Sequence, residues 1–456
     1  MLTLKEIKLG NRSIFQRIHV DAEGKLIYLD TIQYRVYKIN ENGHETFILY
    51  DDDMNVVSSV YRYINISMTH QSYNSREKSI YALRMLYCFL QLTNTKINDL
   101  KLHDIEKLKY FLLGYSPKKG PYSLKLQTVR SNATINSYLN IYRTYLKYLN
   151  IECDYLFETK NHNIRGISTI TEMSKSVSSY SSNMKTGTPV HRTPRYISLD
   201  DFKNIFNLIR EDGNLMAECI VRIMFQFGLR IGEVLGLTFE DIVEENIDGT
   251  LYPILYIRNR TTDKYFQKAK TCMNIIDKAQ YNSKDYKTEN YGYQKVIITY
   301  DIYELINSYI DDAHGKARKK NQVRYKKSVS TDKVIKDKYE SDNYYVFINS
   351  IGRALSAQVW NKYVKSVFQR VGIPLDSISK KTNLNHRFRH GYAMFNIQYR
   401  QTNLLELQKM MRHTSISSTI IYFNPTEADE AAVKNEFVNE LYELIPELRS
   451  QKYETG

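Results

Sequence analysis

Residues 384–425 constrain this chain more than any other stretch. The segment begins L-N-H-R-F-R-H-G-Y-A-M-F and later reads M-R-H-T-S-I-S-S-T-I-I-Y-F. His386 and Arg389 are three apart, so a helix places them on one face. His413 and Tyr422 are nine apart, with a Ser/Thr-rich turn signal between them. Arg and His donate to phosphate oxygens, and a Tyr hydroxyl can attack phosphorus. The pattern predicts phosphate chemistry at a site assembled from two segments of one folded domain.

A phosphate-bearing partner suits the totals. The net charge is +14 and the pI about 9.2, a balance that points to a polyanion, of which nucleic acid is the commonest. At 456 residues, 42% of them hydrophobic, the chain is expected to form two to three domains with packed cores. The four cysteines are scattered, with neither a C-x-x-C pair nor a Cys/His cluster of zinc spacing. They read as buried, reduced thiols, and no metal is expected. No signal peptide and no membrane span are read from the sequence, which predicts a cytoplasmic protein. No P-loop is present, so no nucleotide cofactor is implied. With 39 Tyr in the chain, residue type alone singles out none of them. Tyr392, Tyr399 and Tyr422 all lie in the same region as these His and Arg residues.

Taken in order, residues 1–60 read as a β-rich module, with short strands at 14–20, 26–29 and 47–50 parted by turn signals. Residues 61–158 turn helical. One helix follows Ser75, a second covers 104–113 and stops at Gly114, and Asn132 caps a third. Arg143 and Lys147 stand among tyrosines on that third helix and are read as DNA-binding. Residues 159–196 are rich in Ser, Thr and Lys, with little to fill a core, and read as a linker.

The second large domain spans 197–424. Ser198 with Asp201 three residues on makes a capping-box-like start. A helix over 217–227 ends at Gly228, and Arg230 opens the next. Segments 241–243 and 251–257 flank an Asp248-Gly249 turn, a β-hairpin signal, with a further strand at 296–299. A helix over 303–313 leads into a basic run, G-K-A-R-K-K, whose Lys319 and Lys320 are read as DNA-backbone contacts. A short strand at 344–348 follows, and then a helix capped by Ser356 with Trp360 in the core. Residues 425–456 read as an amphipathic helix with a stripe that includes Phe437 and Leu441.

H-x-x-R-H followed by H-x8-Y resembles the active site of tyrosine recombinases, the phage-type integrases. That family carries a further Arg in an upstream G-L-R-x-x-E element, and F-G-L-R-I-G-E at 227–233 supplies Arg230 and Glu233. The resemblance implies a catalytic set of Arg230, His386, Arg389, His413 and the nucleophile Tyr422. Glu233 would fix Arg230 by a salt bridge. His390, next to Arg389 but pointing elsewhere on the helix, would be structural support. A lysine between the second and third strands would protonate the leaving oxygen. Lys270, in a segment similar to transposon-type members, and Lys287, closer to the strand, both qualify.

The resemblance further implies a helical, SAM-like core-binding domain and a mainly α catalytic domain with a small antiparallel sheet. These would form a C-shaped clamp on double-stranded DNA. A homotetramer on two sites is implied, with an accessory or directionality protein, and residues 425–456 would dock on a neighbouring protomer. The expected activity is cleavage and rejoining of DNA for integration and excision of a mobile element, without metal or other cofactor. A type IB topoisomerase and a non-catalytic DNA-binding regulator are the alternatives. The separate helical domain argues against the first and the complete residue set against the second.

Overall fold

The protein is described by a computed structural model covering residues 2–10, 12–21, 23, 25–41, 44–115, 123–165, 174–186, 194–260, 267–275, 278–328, 345–350, 352–375 and 383–423, with Val438, Asn439 and Glu443. The chain divides into two units, Met1–Pro189 and Val190–Gly456.

In the first unit, β1 (Leu2–Leu9), β2 (Arg12–Val20), β3 (Leu26–Ile32) and β6 (Ser123–Lys125) form a sheet of order β3-β2-β1-β6. The pairing is antiparallel except between β1 and β6. Leu4 and Glu6 alternate inward on β1, beside Phe15 and Ile32. The buried Glu6 carboxylate is fully engaged. It accepts from Ser13 Oγ (2.6 Å), Thr128 Oγ1 (2.9 Å) and the backbone N–H groups of Gln127 (2.9 Å) and Thr128 (2.8 Å). A second hairpin pairs β4 (Arg35–Glu41) with β5 (His44–Tyr50).

The helices of this unit are α1 (Ser58–Arg62), α2 (Tyr73–Thr93), α3 (Leu102–Leu113), α4 (Asn132–Tyr148) and α5 (Asp154–Phe157). Ser72 and Ser131 cap α2 and α4, each three residues before the N–H it accepts from. Helices and strands share one core, in which Phe15 and Phe47 pack with Leu83, Phe89, Phe111 and Tyr142. The expected division between residues 1–60 and 61–158 is therefore not a division of the core.

Two further expectations change here. The stretch expected as a linker holds a hairpin, β7 (Thr159–Arg165) with β8 (Ser174–Tyr180). Arg143, expected to face DNA, is 2% exposed. It donates to the Leu156 carbonyl (2.6 Å), Ser182 Oγ (2.7 Å) and Asn183 Oδ1 (2.8 Å), and lies 3.8 Å from the centroid of the Tyr180 ring. It is an internal staple that holds the segment after the hairpin to α4. Lys147, one turn on, is exposed beside the Phe157 ring.

In the second unit, Ser198 and Asp201 close a capping box on α6 (Leu199–Glu211). Helix α7 (Leu215–Gln226) follows, and Arg230 is the N-cap of α8 (Ile231–Leu235). A sheet of order β11-β10-β9 is built from β9 (Ile242–Ile247), β10 (Thr250–Arg258) and β11 (Tyr293–Ile297). Asp248 and Gly249 both take positive φ, 50° and 87°, as the tight hairpin turn requires. Then come α9 (Tyr300–Ser328), α10 (Ala357–Arg370), α11 (Asn383–Arg400), α12 (Leu404–Met410) and α13 (Ser417–Ile420). The expected strand at 344–348 reduces to isolated bridges, Thr238 with Tyr345 and Ile348 with Ala354; Tyr344 lies outside the described residues.

The core of this unit gathers Met224, Leu235, Ile257, Ile302, Phe347, Trp360, Phe368 and Phe388. Trp360 is buried as expected, its indole N–H donating to Asn385 Oδ1 (2.7 Å). Helix α11 lies close against α7. A Cβ at Gly391 would stand 2.5 Å from the Ile197 carbonyl oxygen and 2.6 Å from the Phe225 ring, so glycine permits the approach that seats α11. Lys319 is exposed on α9, whereas the Lys320 side chain lies outside the described residues. Apart from Val438, Asn439 and Glu443, so do residues 425–456. Among the described residues no helix is long and apolar enough to cross a membrane.

Candidate active site

Helix α11 presents three of the singled-out residues in succession. His386 and His390 are one turn apart, with ring centroids 6.0 Å from each other. Arg389 lies between them, 2% exposed. Its terminal nitrogens donate to the carbonyls of Gly228 and Met411, which ties α11 to the turn before α8 and to the end of α12. Gly228 has φ +64°, and a Cβ there would stand 2.5 Å from the Tyr392 ring. Only glycine turns the chain here and still leaves its carbonyl free for Arg389.

Arg230 stands at the start of α8, facing Glu233. The guanidinium Nη1 is 2.8 Å from Glu233 Oε1, and the Arg230 backbone N–H donates to Oε2 at 2.8 Å. Arg412 Nη2 reaches that same Oε2 at 2.9 Å. The Glu233 carboxylate has no solvent contact. Burial alone would raise its pKa, but the guanidinium groups of Arg412, Arg230 and Arg389 hold it down to about 2. Three guanidinium groups around one carboxylate leave an excess of buried positive charge, a setting made for an anion.

The imidazoles are neutral in this setting. Burial, with Arg230, Arg389 and Lys270 behind it, lowers the pKa of His386. Burial and the neighbouring guanidinium groups bring His413 down to about 4. Burial, His386 and Arg389 bring His390 down to about 3. His413 follows α12 and is oriented by Thr419 Oγ1, 2.9 Å from Nδ1.

Tyr422 follows α13 and is 3% exposed, packed with Ala393, Met394, Leu407 and Met411. Its ring lies parallel to that of His413, with centroids 6.4 Å apart and planes 6° apart. Its hydroxyl is 2.7 Å from His390 Nδ1. With the imidazole neutral and protonated at Nε2, the hydroxyl is the donor. Burial pushes the phenol up to about 12, opposed by Arg389 and Arg230. His390, expected to point elsewhere, thus meets the hydroxyl. The signal was its four-residue spacing from His386, which places both on one face.

The two candidate lysines are placed differently. Lys270 is exposed in a turn and is among the charges acting on His386. Two buried amides pin that turn. Gln267 donates to the carbonyls of Leu235 (2.8 Å) and Leu355 (3.1 Å). Asn259 Nδ2 lies 2.8–3.0 Å from the carbonyls of Ala269, Cys272 and Met273. Lys287 is exposed in the turn before β11 and is not among the main charges acting on the His–Tyr cluster. Sequence reasoning missed Asn259, Gln267, Thr419 and Arg412. Buried amides and a helix-end arginine carry no motif; only their partners, distant in sequence, define them.

Residues 195–429 match the model of the phage integrase family. Transposase A from transposon Tn554 of Staphylococcus aureus is 22% identical over 418 residues, covering 88% of this chain and 95% of the relative. Among solved structures, the Tn1549 transposon integrase in complex with transposon right-end DNA is 14% identical, covering 83% of this chain and 99% of that one, with a TM-score of 0.46. The XerH site-specific recombinase bound to its difH substrate is 15% identical, covering 82% and 92%, with a TM-score of 0.38.

Proposed function

This chain belongs to the phage integrase family, and from that premise we propose that it is a site-specific DNA recombinase that integrates and excises a mobile element through a 3′-phosphotyrosine intermediate. The observation that carries the reading is one cluster in which His390 meets the buried hydroxyl of Tyr422, His413 lies parallel to its ring, and the charges of Arg389 and Arg230 act on it, with His386 one turn from His390. Similarity to a transposon-encoded transposase over most of the chain supports the mobile-element role.

The scissile phosphate sits against Arg230 and Arg389. Two of the five guanidinium donors of Arg389 are engaged by backbone carbonyls, which aims the rest. As the phenol oxygen of Tyr422 bonds to phosphorus, its proton passes to His390 Nδ1, and the bond from phosphorus to the 5′ oxygen breaks. Charge growing on the non-bridging oxygens is met by the two arginines and by N–H donors of His386 and His413. Lys270 gives the leaving 5′ oxygen its proton, the action of its charge on His386 favouring it over Lys287. The bond energy is kept in the phosphotyrosine, and a 5′-hydroxyl from another strand reverses the step. Guanidinium groups supply the charge that metal ions supply in other phosphoryl transfers.

The partner is double-stranded DNA, contacted in part by Lys147 and Lys319. The working assembly is a homotetramer on two sites in the bacterial cytosol, aided by an accessory or directionality protein. The test is a suicide substrate, nicked beside the crossover of the element's own ends, incubated with EDTA and no nucleotide. A covalent protein–DNA adduct is expected; DNA binding with no adduct under any condition would leave only a DNA-binding protein. For the acid, Lys270→Ala is expected to lose at least ~10²-fold in cleavage. A 5′-thio leaving group needs no proton and should restore it. Rescue of Lys287→Ala instead would move the role to that lysine.

A further inference from the structure

We propose that Arg412 is a positioning residue of this site: it takes the second oxygen of Glu233, and in doing so aims Arg230 and fixes the backbone that presents His413. The inference rests on the recombinase reading and adds to it a residue outside the predicted set.

The backbone supplies the first observation. Helix α12 ends with Met411 as its C-cap, and Arg412 follows with φ +52°. The N–H of His413 returns to the Gln408 carbonyl at 3.0 Å, closing the helix end. That left-handed position belongs by default to glycine, and next to asparagine. Other described non-glycine residues with positive φ are mostly Asn or Asp. Met54 and Gln401 are exceptions, but both are exposed. The Arg412 side chain, by contrast, is 11% exposed. An arginine held there against its backbone preference needs a compensating contact.

Glu233 is that contact. One carboxylate oxygen meets Arg230 Nη1, and the other meets Arg412 Nη2 and the Arg230 backbone N–H. Among the described residues Arg412 Nε is buried with no hydrogen-bond partner, and Nη2 on the Glu233 carboxylate is the contact that anchors this side chain. The same short segment is held on its other side, where the Met411 carbonyl accepts from Arg389. Arg412 therefore couples three parts of the site. It shares Glu233 with Arg230, so that Arg230 is oriented but only partly neutralised. It stands between the carbonyl that holds Arg389 and the imidazole of His413. An error of about 1 Å in such a constellation costs on the order of 10²-fold in rate.

Arg412→Gly suits the backbone and removes the guanidinium. Arg412→Gln keeps a shorter polar side chain without charge, and serves if the glycine variant does not fold. Both are measured on the suicide substrate well below their melting temperatures, beside wild type and Tyr422→Phe. The expected result is a single-turnover cleavage constant at saturating DNA lowered by at least about ten-fold, with DNA affinity within about two-fold of wild type. Arg412→Lys, which keeps the charge, should recover part of the loss. Cleavage within three-fold of wild type overturns the proposal, as does a loss confined to weaker DNA binding, which would make Arg412 a phosphate-backbone contact. If wild type forms no adduct, the recombinase reading fails first, so the two failures are distinguishable.

Discussion

Tyr422→Phe is expected to abolish the covalent protein–DNA adduct and to leave the fold and DNA binding close to wild type. The substitution removes one oxygen from a ring that keeps all its other contacts. Phenylalanine still packs with Ala393, Met394, Leu407 and Met411 and still lies parallel to His413. The hydroxyl's bond to His390 Nδ1 is lost, and the neutral imidazole is left with an unpaired acceptor. That costs about 1–3 kcal/mol. DNA affinity is expected to stay within about two-fold, because phosphate contacts come from charged groups the substitution leaves in place. No other group replaces the lost nucleophile. Tyr392 packs its ring against Gly228, and Tyr399, 61% exposed, stands well along α11 from the arginines. The measurement is adduct yield on a nicked suicide substrate, resolved on a denaturing gel. Adduct persisting at wild-type level would move the nucleophile to another tyrosine and detach His390 and His413 from its activation.

Much of the catalytic unit was legible because its signals are local or have fixed spacing. Ser198 with Asp201, the Asp248-Gly249 turn and the Gly228–Arg230 junction each state their geometry within a few residues. The residues of the proposed phosphate site stood out for another reason: each type is one that phosphate chemistry demands, and its spacing restricts where it can sit. The first unit was harder to read. β1 mixes charged and apolar residues, and its buried Glu6 looks like a surface residue until Thr128 closes on it. Arg143 misled in the same way. On an amphipathic helix an arginine reads as solvent-facing, and only the Leu156 carbonyl, Ser182 and Asn183 show that its charge is enclosed. The 159–196 stretch offered few apolar residues, yet a hairpin satisfies its backbone by pairing with itself and needs few. His390 is the instructive case within the site. Its neighbour in sequence is Arg389, but its neighbours on the helix face are the residues one turn away, and the periodicity was there to be used.

Glu233→Gln is the other substitution expected to act strongly, and on stability as much as on rate. The wild-type carboxylate accepts from two guanidinium groups and one backbone N–H with no help from solvent. Glutamine is nearly the same size but has one oxygen, and its NH2 group would face a guanidinium donor to donor. Removing the anion leaves Arg230 and Arg412 enclosed without their counter-charge, a change that costs about 3–5 kcal/mol. The melting temperature at neutral pH should fall by roughly 10 °C for a unit of this size. The pH dependence separates charge from shape. The Glu233 pKa is held at about 2 in the folded protein against an ordinary value of 4.5. A carboxylate depressed in this way stabilises the fold above its unfolded pKa, and that contribution is lost as pH falls from about 4.5 toward 2. It amounts to about 3 kcal/mol. Wild type should therefore lose stability through this window, and Glu233→Gln should lose correspondingly less, so the two stability curves converge as pH falls. Parallel curves would show that the carboxylate's charge does not hold the two arginines. Cleavage at neutral pH should also drop by on the order of 10²-fold, since in the proposed mechanism Arg230 loses the carboxylate that aims it at the phosphate.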